Sequence, residues 1–146
     1  MHMAAANGHL GAVEMLISFN ADVNAPAANG STALMMAALN SAKDVLAYLV
    51  QIDVIDLNAV NTTPEARGTT ALHLACAGAD LDSVKLLVQA GCNAAAVCYH
   101  NSLGGVTPRQ MAQACGPRGA AVAEFLASGG GLPEVKVRRA LLDIYR

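Results

Sequence analysis

Histidine, cysteine and acidic residues carry most of the chemistry available to this chain, and their spacing decides whether it can be used. The histidines are His2, His9, His73 and His100; the cysteines are Cys76, Cys92, Cys98 and Cys115. A zinc site draws its ligands in close pairs, because one turn must aim two donors at one ion. No pair forms a C-x-x-C, no histidine spacing completes a zinc site, and neither His9 nor His100 has a Cys or Asp at a spacing that implies a metal. The cysteines therefore read as free buried thiols in a reducing compartment. Asp53, Asp56, Asp80 and Asp82 fall at turns and helix starts, not as the paired carboxylates of acid–base catalysis. No P-loop, nucleophile elbow or dinucleotide fingerprint occurs, and the glycine run at residues 129–131 reads as a linker. The expectation is a protein that is not an enzyme, with no catalytic residue, no metal and no cofactor.

The elements that position these residues follow from composition. Of the 146 residues, 54% are hydrophobic and only 3% aromatic, so a core must be built from Ala, Leu, Val and Met. Small side chains let helices approach closely, and Ala is the best helix former. A formal net charge of -2 offers no basic field for nucleic acid or an anionic membrane. Every apolar run is interrupted by Asp, Asn or Gly before it reaches membrane-span length, and no secretory signal opens the chain. The reading is a soluble intracellular protein, cytoplasmic or nuclear. Lys136, Arg138, Arg139 and Arg146 crowd the C-terminal segment. They read as a solvated helix face, with a site for an acidic partner as the alternative.

Internal repetition organises the rest. Residues 1–25, 32–59 and 70–96 align, and a weaker fourth copy spans residues 107–129. His2, Met35, His73 and Gln110 fall in register, at spacings of 33, 38 and 37 residues. Each copy reads as a small apolar helix, a polar break, a second apolar helix and a Gly or Asn stop. Thr32, Thr70 and Thr107 can cap the first helices, and Pro108 suits a first helical position. Leu72, Ala75 and Cys76 supply an inward stripe; Val84, Leu87 and Val88 recur at helical spacing. Gly91 fits a left-handed helix stop. One copy cannot bury its own apolar face, whereas stacked copies make a continuous core.

The third copy carries GTTALHLA at residues 68–75, and the first carries NGHLGAVEMLISFNADVNA at residues 7–25. These segments resemble the ankyrin repeat family, with Ala71 where that family's pattern has Pro. The second copy departs by Met35 for His and Ser41 for Gly. The fourth departs by Arg109 and Gln110, and by one extra residue near residues 117–119. The resemblance implies an all-α solenoid of stacked helix–turn–helix units, with β-hairpin or loop fingers projecting between repeats. It places the repeats at about residues 1–31, 32–67, 68–104 and 105–131, with a C-terminal capping helix at residues 132–146. The first copy begins inside its first helix, so the expectation is a piece of a longer array, or an end that a partner covers. Met1, Met3 and Ala6 would make a poor cap.

The resemblance also implies function. Such arrays bind other proteins on a concave surface made by finger tips and first helices. Mapped here, the candidate positions are Asn7, Ala28, Asn29, Ser31, Asn40, Glu65, Arg67, Thr69, Tyr99, His100, Asn101 and Leu103. His73, and His2 with it, would hydrogen-bond neighbouring backbone and link repeats. Residues 58–68 and 94–105 make two fingers longer than the first. The extra length is either neutral drift, which loops tolerate cheaply, or a place for binding residues on a rigid scaffold. Tyr99 is either an interface anchor or a ring packed on its own finger. Asn24 follows Asp22-Val23 with Leu16 upstream, a context resembling that of family asparagines modified by hydroxylation; the alternative is a hydrogen bond across the turn. Self-association through the first repeat, and substrate recruitment within a larger multidomain protein, stand as the other functions.

Overall fold

A computed structural model of the protein describes residues 1–100 and 103–129. It contains four helix pairs: α1 (His2–Ala6) with α2 (Leu10–Ser18), α3 (Ala33–Leu39) with α4 (Lys43–Leu49), α5 (Ala71–Ala77) with α6 (Leu81–Ala90), and α7 (Pro108–Ala114) with α8 (Ala120–Ala127). One antiparallel hairpin, β1 (Cys98–His100) with β2 (Leu103–Val106), separates the third pair from the fourth. The expected segment at residues 132–146 lies outside the described residues.

Helix starts are set by side-chain caps. Thr32 accepts from the Met35 N–H, and Thr70 and Thr107 form reciprocal capping boxes with His73 and Gln110. The Thr70 N–H donates to His73 Nδ1 at 3.3 Å, while His73 Nε2 lies 3.1 Å from the Val106 carbonyl oxygen. One tautomer, with the proton on Nε2, satisfies both bonds. His73 therefore closes its own helix and ties it to the start of the next pair. Gln110 repeats the first of these tasks through Oε1, 2.9 Å from the Thr107 N–H. Its departure from histidine thus preserves the cap. His2 Nε2 reaches the Ala25 carbonyl oxygen at 2.7 Å.

The helix pairs stack in two rows, α1, α3, α5 and α7 in one and α2, α4, α6 and α8 in the other. In α3, Ala33, Leu34, Met35, Ala37 and Ala38 are all buried. A helix flanked on both sides and covered by its own partner has little face left for water, and small residues allow that approach. Leu72, Ala75 and Cys76 face the same core, as do Val84, Leu87 and Val88 of the second row. The turn joining each pair repeats too. Gly8, Ser41, Ala79 and Gly116 all have positive φ, at 71°, 53°, 55° and 62°. Gly91 ends α6 in the left-handed region, as its position predicted. The extra residue of the fourth pair is taken up by a 3₁₀ turn, Gly116–Gly119, before α8.

The fingers are less regular than expected. Only the third is a strand-paired hairpin. The first closes with Ala27 N–H to Ser31 O and Gly30 N–H to Ala27 O, and the second with Asn61 N–H to Thr69 O and Gly68 N–H to Asn61 O. Pro26 and Pro64 lack the N–H that a longer ladder would need.

Candidate functional site

The fingers are bonded to one another, and this positions the residues at their tips. Asn61 Nδ2 donates to the Asn29 carbonyl oxygen at 2.9 Å, while its Oδ1 accepts from the Thr63 N–H at 2.9 Å and the Thr63 hydroxyl at 2.7 Å. Asn61 thus clamps the second finger onto the first. The Tyr99 N–H donates to the Arg67 carbonyl oxygen at 2.8 Å, joining the third finger to the second. Gly68 has φ 81°, and a Cβ there would lie 2.7 Å from the Val97 carbonyl oxygen, so only glycine allows this approach.

Between the second and third fingers lies a groove of about 480 Å³, lined by Val60, Asn61, Thr62, Pro64, Arg67, Gly68 and Tyr99. Arg67 is exposed, as are Val60 and Tyr99 at 51% and 55%. The Tyr99 ring also lies against its own finger: a Cβ on Gly105 would come within 3.4 Å of Cε1. The two sequence readings of Tyr99 are therefore compatible, since one face packs and the other remains open.

The structure divides the other predicted positions. Asn29 and Glu65 are exposed on fingers, and so is Ala28. Asn7 and Asn40 are exposed but stand at the C-terminal ends of α1 and α3, one helix length from the fingers. Ser31 and Thr69 are corrected: both are buried, at 9% and 2% exposure. Each immediately precedes a capping threonine, where the chain turns inward under the next finger. Ser31 receives Asn61 Nδ2 at 3.5 Å. Thr69 sits beside Cys98, whose thiol is pushed up by burial and partly drawn back by the Thr69 hydroxyl. Asn101 lies outside the described residues, as do the side chains of His100 and Leu103.

Asn24 bridges successive repeats. Its Nδ2 donates to the Val54 carbonyl oxygen and its Oδ1 accepts from the Asp56 N–H, both at 2.8 Å. Asn58 repeats the accepting half of this bridge one repeat on, taking the Asn93 N–H at 2.7 Å. Sequence reading missed Asn61, Val60 and Pro64. The Asn61-Thr62-Thr63-Pro64 run carries a turn signal, but nothing local says that the turn clamps a neighbour.

The remaining reactive groups do not converge. Cys76, Cys92 and Cys98 are buried and Cys115 is half-buried, all as free thiols. Burial pushes Cys76, with the Cys115 charge adding to it, and Cys92 each up to about 12. Asp80 caps α6, accepting from the Asp82 and Ser83 N–H groups, and pairs with Lys43 at 3.7 Å. Burial acts to raise its carboxyl, but hydrogen bonds from Ser83 and Ser41 and the Lys43 charge outweigh this and hold it below the ordinary value. Among the described residues no group of three or more His, Cys, Asp or Glu could hold a metal ion. No helix among them is long and apolar enough to cross a membrane.

Comparison with known proteins agrees with this architecture. A family model described as ankyrin repeats (3 copies) matches residues 1–98. A search of the curated proteins returns no match. The fourth helix pair lies beyond the matched residues, yet α7 packs on α5 as α5 packs on α3.

Proposed function

The chain belongs to the ankyrin repeat family, and from that premise we propose that it is a protein-recognition module, not an enzyme, which docks a partner protein on its finger side. Ankyrin repeats are generally interaction modules. The observation that supports this site is the groove between the two lengthened fingers, where Arg67 and Tyr99 stand exposed on a hydrogen-bonded frame. A large ring held by backbone bonds and a glycine contact loses little freedom on binding, which suits an anchor. Asn29 and Glu65, also exposed on fingers, are proposed to extend this site; His100, Asn101 and Leu103 are proposed with them from their sequence positions alone. Nucleic acid and membrane are not the partners on this reading, since the chain carries a net charge of -2. The setting is intracellular.

The test replaces Arg67 and Tyr99 together by alanine in the full chain, used as bait for proximity labelling in its native cell. Loss of the wild-type partner set with an unchanged unfolding midpoint is expected. Retention of that set moves the site elsewhere.

A second reading, self-association, is favoured by the first helix pair. Met3, Met15 and Phe19 are exposed there at 68%, 62% and 78%. By repeat register, exposed Ala12 and half-buried Leu16 match the fully buried Val45 and Leu49. Sedimentation over a range of concentrations separates the readings: a monomer throughout removes assembly.

A further inference from the structure

We propose that the groove between the second and third fingers selects a peptide segment in which a side-chain carboxylate stands next to an apolar side chain. The carboxylate would sit on Arg67 and the apolar group between Val60, Pro64 and Tyr99. This rests on the docking role proposed for the same groove and specifies its occupant.

Charge carries the first part. Among the described residues Arg67 is the one charged residue lining the groove, and the ion pairs all belong to Lys43. Its exposed guanidinium therefore has no counter-ion among the described residues, although Glu65 is only two residues away. A planar guanidinium matches a carboxylate with two parallel hydrogen bonds. The wall beside it is apolar: Val60 and Tyr99 are half exposed and Pro64 is exposed. A segment that was only charged would leave this wall wet, and one that was only apolar would strip water from Arg67 without replacing it.

Backbone accounting carries the second part. The N–H groups of Asn61, Gly68 and Tyr99 are bonded to the Thr69, Asn61 and Arg67 carbonyl oxygens, and the Thr63 N–H is bonded to Asn61 Oδ1. Capture of a chain-terminal carboxylate relies on free N–H groups, and strand addition relies on a free edge. These bonds, three within the second finger and one between fingers, spend the N–H groups of Asn61, Thr63, Gly68 and Tyr99. With those donors taken, the charged group lining the groove is the Arg67 side chain, and a side-chain carboxylate within a segment is the fitting occupant.

The test is selection from a random dodecapeptide display library on the full-length chain, followed by binding of the enriched peptides to Arg67→Glu and Val60→Ser/Tyr99→Ser variants. Circular dichroism first confirms that each variant retains its helices. The expected result is enrichment of Asp or Glu beside an aliphatic or aromatic residue. Binding should fall about tenfold or more on Arg67→Glu, and should recover when the peptide's acid is replaced by Lys. Peptides that need Val60 and Tyr99 but are indifferent to Arg67→Glu would overturn the acidic preference and leave the docking groove standing. No enrichment, or peptides indifferent to all variants, would overturn both.

Discussion

At the scale of single residues, polar side chains in this chain mostly hold the backbone in place. His73 closes a capping box with Nδ1 and reaches the next repeat with Nε2, so both ring nitrogens serve the fold. Asp80 is an N-cap whose replacement by alanine should lower stability by about 1 kcal/mol at neutral pH. Its folded carboxyl titrates below its ordinary value of 3.8, so folding favours the charged form. That contribution is present above about pH 4 and is lost as pH falls through the folded value. Urea unfolding of wild type and Asp80→Ala should therefore show a gap that narrows as the solution is made more acidic. Asn24 is proposed as a hydroxylase substrate, although its amide already bridges Val54 and Asp56. Intact-mass analysis after incubation with an asparaginyl hydroxylase should show one added oxygen, and an unchanged mass would leave Asn24 a purely structural bridge.

At the scale of elements, the turn between paired helices is the most regular feature after the helices themselves. Gly8, Ser41, Ala79 and Gly116 hold positive φ at the spacings of the repeat. Ser and Ala there carry a Cβ into a conformation that glycine adopts freely. Ala79→Gly should stabilise the fold by about 0.5–1 kcal/mol, the relieved strain exceeding the added unfolded-state entropy. Thermal unfolding checks this, and a lowered midpoint would show that the turn tolerates the Cβ without strain. Fingers behave in the opposite way. Their lengths differ, their prolines interrupt ladders, and they gain order by bonding to one another through Asn61 and through the Tyr99–Arg67 pair.

At the scale of the whole molecule, stacking makes the interior continuous, and its thiols report on that. Cys76 and Cys92 are held near 12 against an ordinary 9.0, so the folded state keeps their protons. Their contribution to stability is complete below pH 9 and is lost as pH rises toward 12. At pH 8 the same shift suppresses their thiolate by roughly a thousandfold. Alkylation of the native chain with iodoacetamide should label half-buried Cys115 first, with Cys76 and Cys92 reacting only on unfolding. Early labelling of Cys92 would mean that the third repeat opens independently of its neighbours. The surface complements this interior: a finger groove lined by the Arg67 side chain, and an apolar first pair around Phe19.

Helix positions, caps, left-handed stops and the four-fold register are legible along the chain, because each depends on residues within one or two turns of one another. Thr70 with His73, Pro108 after Thr107 and Gly91 after Ala90 needed no tertiary information, and GTTALHLA with its partner copies was enough to identify the family. The proposed docking face was only half legible. Arg67, Tyr99, Asn29 and Glu65 were expected to be exposed from their place on fingers and are so, but Ser31 and Thr69 shared that place and are buried. Asn61 went unnoticed although it clamps two fingers. The physical reason is that finger contacts join residues about one repeat apart, across loops of unequal length with no hydrophobic period. Which finger atoms meet is decided by how the rigid helix pairs space their loops, and that spacing exists only once the stack has formed.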